Sequence, residues 1–170
     1  MINTLQPDEY APFYAGYVSL VGEGPILEIL EGLKESTHEF FKSLPHDRSN
    51  YAYAAGKWTI KEVLGHMTDA ERIFGYRVLC FSREETVLPG FDQVAYSLKA
   101  TFNSRSLEDL ADEFRAVRES NMYLFRSLTD QQQTQKGIAS GNPVSVRALL
   151  YIIAGHELHH LNILKERYLV

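Results

Sequence analysis

Residues 143–168, PVSVRALLYIIAGHELHHLNILKERY, place two histidines where a helix needs apolar core. Leu149, Ile153, His156, His160 and Ile163 follow one another in steps of three and four, the period of a single helix face. Two imidazoles four positions apart stand about 6 Å apart along that face, close enough to share one metal ion. Burying both without an ion requires a partner for every ring nitrogen, whereas a divalent ion and outer acceptors satisfy them together. The rest of the chain must therefore give this helix an interior, and that interior a further ligand.

Three more helices of similar length can be read upstream. Pro25 suits a first helical turn, and Ile26, Leu30, Leu33, Phe40 and Leu44 keep helical spacing as far as Leu44-Pro45. Thr59 with Glu62 forms a capping box ahead of Ile60, Leu64, Met67, Ala70, Phe74, Val78 and Phe81, which predicts a second helix ending near Arg83. Ser106 with Asp109 opens a third. Its Leu107, Leu110, Phe114, Val117, Asn121, Leu124 and Leu128 make a nearly strict heptad seam with Asn121 as the polar member. Glycine breaks at Gly137 and Gly141, then Pro143 and Ser145, lead into the histidine helix.

The connections carry less pattern. Tyr10, Phe13, Tyr14 and Tyr17 stud the leader and are expected to pack their rings across the helical body. Residues 84–105 hold Pro89-Gly90 and a short helix around Asp92 to Leu98; a connection this long implies a crossover between helices two and three. No alternating run bounded by hairpin turns is legible, and no internal repeat. The expected fold class is all-α, a four-helix bundle in a single domain, 1–170.

Composition removes several function classes. A net charge of -5 with no Lys/Arg block argues against a nucleic-acid partner. No apolar run approaches the roughly 20 residues of a membrane span, and MINTLQPDEYAPF lacks the charged start and apolar centre of a secretory leader, so a cytoplasmic protein without a membrane partner is expected. Cys80 is the single cysteine. On one helix with His66 it would lie about 21 Å away, too far to share an ion.

Of the six histidines, His38 and His46 read as ordinary hydrogen-bonded residues. His66 lies about 40° from Ala70 and about 60° from Val63 on the helical wheel, so it faces the interior and is the third candidate ligand beside His156 and His160. His159 falls about 100° off the face of His160, on a flank. Asp69, one turn beyond His66, is a candidate outer acceptor or fourth ligand. The string His156-Glu157-Leu158-His159-His160 also fits H-E-x-x-H, in which Glu157 would be the general base of a zinc protease. No histidine follows His160 to complete that site, and no edge strand is expected to align a peptide. The protease reading is set aside, and Glu157 and Asp69 stay as candidates for proton handling.

Four stretches together resemble a known family, the DinB-like metal-dependent bundles, which include YfiT-like hydrolases and thiol-dependent S-transferases. They are Trp58 through His66 with Asp69 and Glu71, then Pro89-Gly90-Phe91-Asp92, then Ser106 through Leu110 with Phe114, Arg115 and Arg118. The last runs from Val144-Ser145-Val146-Arg147 through Gly155-His156 to His160-Leu161. The resemblance covers nearly the whole chain. It implies an up-down-down-up bundle and a divalent ion, usually nickel or zinc, on His66, His156 and His160 with positions left open for water or substrate. It further implies a homodimer and, as in characterised relatives, activation of a low-molecular-weight thiol. The expectation is a metal-dependent enzyme acting on a small-molecule substrate by thiol transfer or hydrolysis. Its rivals are a metal- or ligand-binding bundle without turnover and a dimerisation bundle whose metal is structural.

Overall fold

Four long helices dominate the computed structural model, which describes residues 5–169. They are α1 (Ile26–Ser43), α2 (Ile60–Phe81), α3 (Leu107–Arg126) and α4 (Val146–Ile163). Three begin on side-chain caps. Thr59 accepts from the Glu62 N–H while Glu62 accepts from the Thr59 N–H at 2.8 Å, Ser106 accepts from Asp109, and Ser145 accepts from Ala148. Each cap satisfies an otherwise orphaned amide, worth about 1 kcal/mol. Pro25 stands one residue outside α1, as its N-cap.

Side-chain pairs give the helix directions. From α1 to α3, Lys34 meets Glu119, His38 meets Asp112 and Lys42 meets Glu108, so the two run antiparallel. Gly65 lies under Phe102, Arg72 pairs with Glu113 and Gly75 lies under Asn121, so α2 and α3 run parallel. Trp58 meets Tyr168 and His66 meets His160, which makes α4 antiparallel to α2; Thr37 with Glu157 and Phe40 with Lys165 make it parallel to α1. The order is up-down-down-up. Residues 82–106 join the parallel pair and include the helix Gln93–Lys99, capped by Asp92, and a 3-10 turn at Phe102–Ser104.

The core falls into two apolar clusters. One gathers Phe74, Val78, Phe81, Met122, Phe125, Leu149 and Ile153; the other gathers Ile60, Leu64, Met67, Leu110, Phe114, Leu161 and Tyr168. Between them, on α2, α3 and α4 alike, lie the buried polar residues His66, Glu71, Arg118, His156 and Glu157. A transverse polar layer therefore divides the bundle.

Two sequence expectations are corrected. The chain is not purely helical: β1 (Val87–Leu88) pairs parallel with β2 (Lys136–Ala139), which pairs antiparallel with β3 (Asn142–Ser145). The glycine breaks belong to this sheet. Ala139 faces Asn142 across a two-residue turn in which Ser140 and Gly141 have φ of 53° and 78°, the positive-φ pair that tight hairpins require. Strands of two and four residues are too short to show alternation.

The heptad on α3 is also not the buried stripe. Leu107, Leu110, Ala111, Phe114, Arg118, Met122 and Phe125 are buried, whereas Val117, Asn121 and Leu124 are half-buried. A straight helix turns at 3.6 residues, so its core face drifts off a 3.5-residue repeat. The drift carries Arg118 into the centre. Among the described residues no helix is long and apolar enough to cross a membrane.

Candidate metal centre

Antiparallel packing sets the second turn of α2 beside the last turns of α4, and this brings His66 to His156 and His160 across ninety residues of chain. The start of α2 is braced from outside: Thr59 donates to Asn103 at 2.7 Å, and Asn103 donates to Glu62 at 3.0 Å. On α4, Gly155 is required by close approach. A Cβ there would lie 2.0 Å from the Tyr17 carbonyl oxygen, because the helical turn Ala15–Val18 sits directly on the helix. Glu9 ties the same leader to the base of α4, accepting from Ser145 at 2.8 Å and from Arg147 at 2.6 and 2.5 Å.

The three Nε2 atoms converge. His156 Nε2 is 3.0 Å from His66 Nε2 and 3.1 Å from His160 Nε2, and the three ligand atoms lie within 4.8 Å of one another. Neutral imidazole nitrogen carries either a proton or a lone pair, so His156 Nε2 cannot make a good linear bond to both neighbours. One cation would take all three lone pairs. Imidazole ligands at about 2.0–2.1 Å in a tetrahedral arrangement stand about 3.4 Å apart, so the 3.0 and 3.1 Å separations from His156 need only a slight opening.

Electrostatics favour the same state. Burial holds His66 down at about 4. Burial, with the positive potential of His66 and His159, holds His160 at about 3. Burial, then its histidine neighbours, pushes His156 well below its ordinary value. All three imidazoles are neutral near pH 7, the protonation state that ligates a metal.

Aromatic rings fix these side chains. Trp58 lies 4.8 Å from the His66 ring, and Tyr17 meets His156 and His159 edge-on at 5.5 and 5.2 Å. Phe74 closes on His156 at 5.8 Å. Beyond His156 opens a cavity of about 160 Å³ lined by Tyr14, Tyr17, Phe74, Arg77 and Phe91 among others. His159 stays on the flank, half-buried, as its angular position implied.

The other candidates lie outside the histidine cluster. Asp69 is partly exposed with Arg72 at 3.8 Å, and burial raises its carboxyl. Glu157 is fully engaged elsewhere: Oε1 accepts from Thr37 at 2.5 Å and Oε2 from Arg118 at 2.8 Å. His38 pairs with Asp112 at 2.6 Å, and His46 begins an exposed 3-10 turn.

Sequence reasoning missed the hub that holds Glu157. Arg118 grips Glu71 in two parallel bonds of 2.8 and 2.9 Å, reaches Glu157, and donates to the Leu30 carbonyl at 3.2 Å; Asn121 adds 2.8 Å to Glu71. Residues of all four helices meet there. Burial works against the Arg118 charge, but Glu157 and Glu71 more than offset it and raise its pKa. Burial pushes the Glu157 carboxyl up in spite of its bonds to Arg118 and Thr37. The available signal was helical spacing at 3.6: Arg118 falls four residues after Phe114 and four before Met122. Arg77 was also missed, though eleven residues put it about 20° from His66 on one face of α2.

Comparison with known proteins agrees with this architecture. Residues 29–164 match the family described as the DinB superfamily. A curated relative from Oceanobacillus iheyensis, named "Putative metal-dependent hydrolase OB0413", is 26% identical over 137 residues, 79% of each chain. The solved structure of YfiT from Bacillus subtilis, described as "a probable metal-dependent hydrolase with an unusual four-helix bundle topology", superposes with a TM-score of 0.69 at 18% identity. The match covers 96% of this chain and 88% of that one. YjoA from Bacillus subtilis, a DinB-like protein, superposes with a TM-score of 0.60 at 22% identity, over 83% and 87% of the two chains. At these identities the two structures speak to the fold.

Proposed function

The chain belongs to the DinB superfamily, and from that premise we propose that it is a divalent-metal-dependent enzyme whose ion is held by His66, His156 and His160. The carrying observation is the convergence of three neutral imidazoles, two buried and His160 half-buried, on one point. The Oceanobacillus relative is named a metal-dependent hydrolase, which supports hydrolysis as the reaction here; a small molecule is the proposed substrate, and a small thiol in place of water would make the same site a thiol transferase. An ion held by three imidazoles supplies Lewis acidity, drawing the pKa of water or a thiol toward neutrality while leaving positions open. Zinc and nickel both suit this ligand set.

The chain's own residues orient and seal the site. Trp58, Tyr17 and Phe74 hold the imidazole planes and keep water from the apolar side. Glu157 acts as a positioning residue: anchored to Arg118 and Thr37, it fixes the helical turn that carries His156. The proposal extends to a cytoplasmic homodimer, for which light scattering should return twice the chain mass of 19.4 kDa.

The test is elemental analysis of protein purified without added metal. Wild type should carry about one divalent ion per chain, and His66→Ala, His156→Ala and His160→Ala should carry little; equal contents in all four sink the site. Activity on a panel of ester and amide substrates, and of small thiols with electrophiles, should vanish with chelator and return with zinc or nickel. Metal bound at full occupancy with neither activity would support the binding reading instead. A large loss of thermal stability on chelation would mark a structural ion.

A further inference from the structure

The bundle buries two arginines almost completely, and their surroundings differ. Arg118, with no exposure, is neutralised by Glu71 and Glu157. Arg77, 2% exposed, has only neutral partners: Nη2 donates to the Pro89 carbonyl at 3.3 Å and to Ser140 Oγ at 3.1 Å, and the Tyr14 hydroxyl is bonded to it. Among the described residues no carboxylate lies within ion-pair distance of its guanidinium. A buried cation without a counter-charge is costly, and burial pulls the Arg77 pKa down accordingly. Arg77 and His156 both line the same cavity.

The cavity wall has a definite chemistry. Tyr14, Tyr17, Phe74 and Phe91 give it flat apolar sides, and among the described residues no acidic one lines it. Phe74 stands between the ends, 5.6 Å from the Arg77 guanidinium carbon and 5.8 Å from the His156 ring. A volume of about 160 Å³ suits one aromatic ring, since an engineered apolar cavity of about 150 Å³ accepts benzene.

We propose that this cavity is the substrate pocket and that it takes a small carboxylate with a flat apolar body, the carboxylate on Arg77 and the other end toward the histidines. The inference rests on the proposed metal centre only for what lies at that far end. Arg77 supplies the charge-assisted bonds, Tyr14 and Ser140 hold its fork, and the rings stack on the body. Neutral molecules of the same shape leave the guanidinium without a counter-charge, so the pocket discriminates by charge.

Benzoate and its uncharged isostere benzamide test the idea by calorimetry or ligand-observed NMR, on metal-free and on zinc-loaded protein. Benzoate should bind the metal-free protein at least about tenfold tighter than benzamide, the loss expected when a charge-assisted bond has no partner. That preference should disappear in Arg77→Gln and survive in part in Arg77→Lys, with folding of each variant checked by circular dichroism. Equal affinity of wild type for the two probes overturns the proposal without any variant. Benzoate binding that needs zinc and persists in Arg77→Gln assigns the anion to the metal and overturns it too. A benzoate preference that depends on Arg77 in a protein that takes up no metal upholds the pocket and sinks the metal centre alone.

Discussion

Replacing Arg118 by methionine removes the group on which the four helices converge and leaves its two carboxylates facing each other in the core. The side chain makes two bonds to Glu71 at 2.8 and 2.9 Å, one to Glu157 at 2.8 Å and one to the Leu30 carbonyl at 3.2 Å. Removing one partner of a buried ion pair costs about 3–5 kcal/mol because the remaining charge is stranded. At about 2–4 °C per kcal/mol for a chain of this size, the melting temperature should fall by about 6–20 °C.

The sign of the pH dependence tests the electrostatic account. Without the guanidinium, burial and the neighbouring Glu71 hold the Glu157 carboxyl still further above its unfolded value in the folded variant. Such a group contributes stability below the unfolded pKa, and loses it as pH rises through the folded pKa. The variant's deficit against wild type should therefore be smaller at pH 5 than at pH 8. Urea unfolding followed by circular dichroism at both pH values measures it. Replacing all three residues together, Arg118→Met with Glu71→Leu and Glu157→Leu, should recover most of the loss. A loss below about 1 kcal/mol in the single variant, or a deficit that ignores pH, would refute the reasoning.

Other positions give independent checks. Gly155→Ala should cost about 1–3 kcal/mol by forcing its Cβ against the Tyr17 carbonyl, and thermal melts together with faster proteolysis of the leader would report it. Burial raises the Glu9 carboxyl, but bonds to Arg147, the Gln6 backbone and Ser145 outweigh it and hold it at about 2. Its folded pKa lies below the unfolded value, so this stability is present above about pH 4.3 and lost as pH falls toward 2. Glu9→Gln should flatten that part of the acid-stability curve. In metal-free protein the buried histidines are also depressed, His66 to about 4 and His160 to about 3. Stability should then decline as pH falls from about 6.5 to those values. A metal-free protein equally stable at pH 7 and pH 4.5 would contradict their burial.

What the sequence by itself determined is what depends on neighbours along the chain. Caps at Thr59, Ser106 and Ser145 join residues three apart, and the His156-His160 pair is one helical turn. The angle of His66 on α2 was legible for the same reason: helical geometry says which side chains share a face. Tertiary structure decided the rest, because pairing across helices follows from which elements meet. Arg118 finds Glu71 across 47 residues and Glu157 across 39, and nothing in local spacing distinguishes those carboxylates from solvated ones. Their meeting, with Thr37, engages both oxygens of Glu157, the residue to which H-E-x-x-H assigns the general base. The short sheet, formed around one two-residue turn, and the Arg77 cavity, formed by α2, the leader and the 82–106 connection, likewise exist only once distant segments are packed.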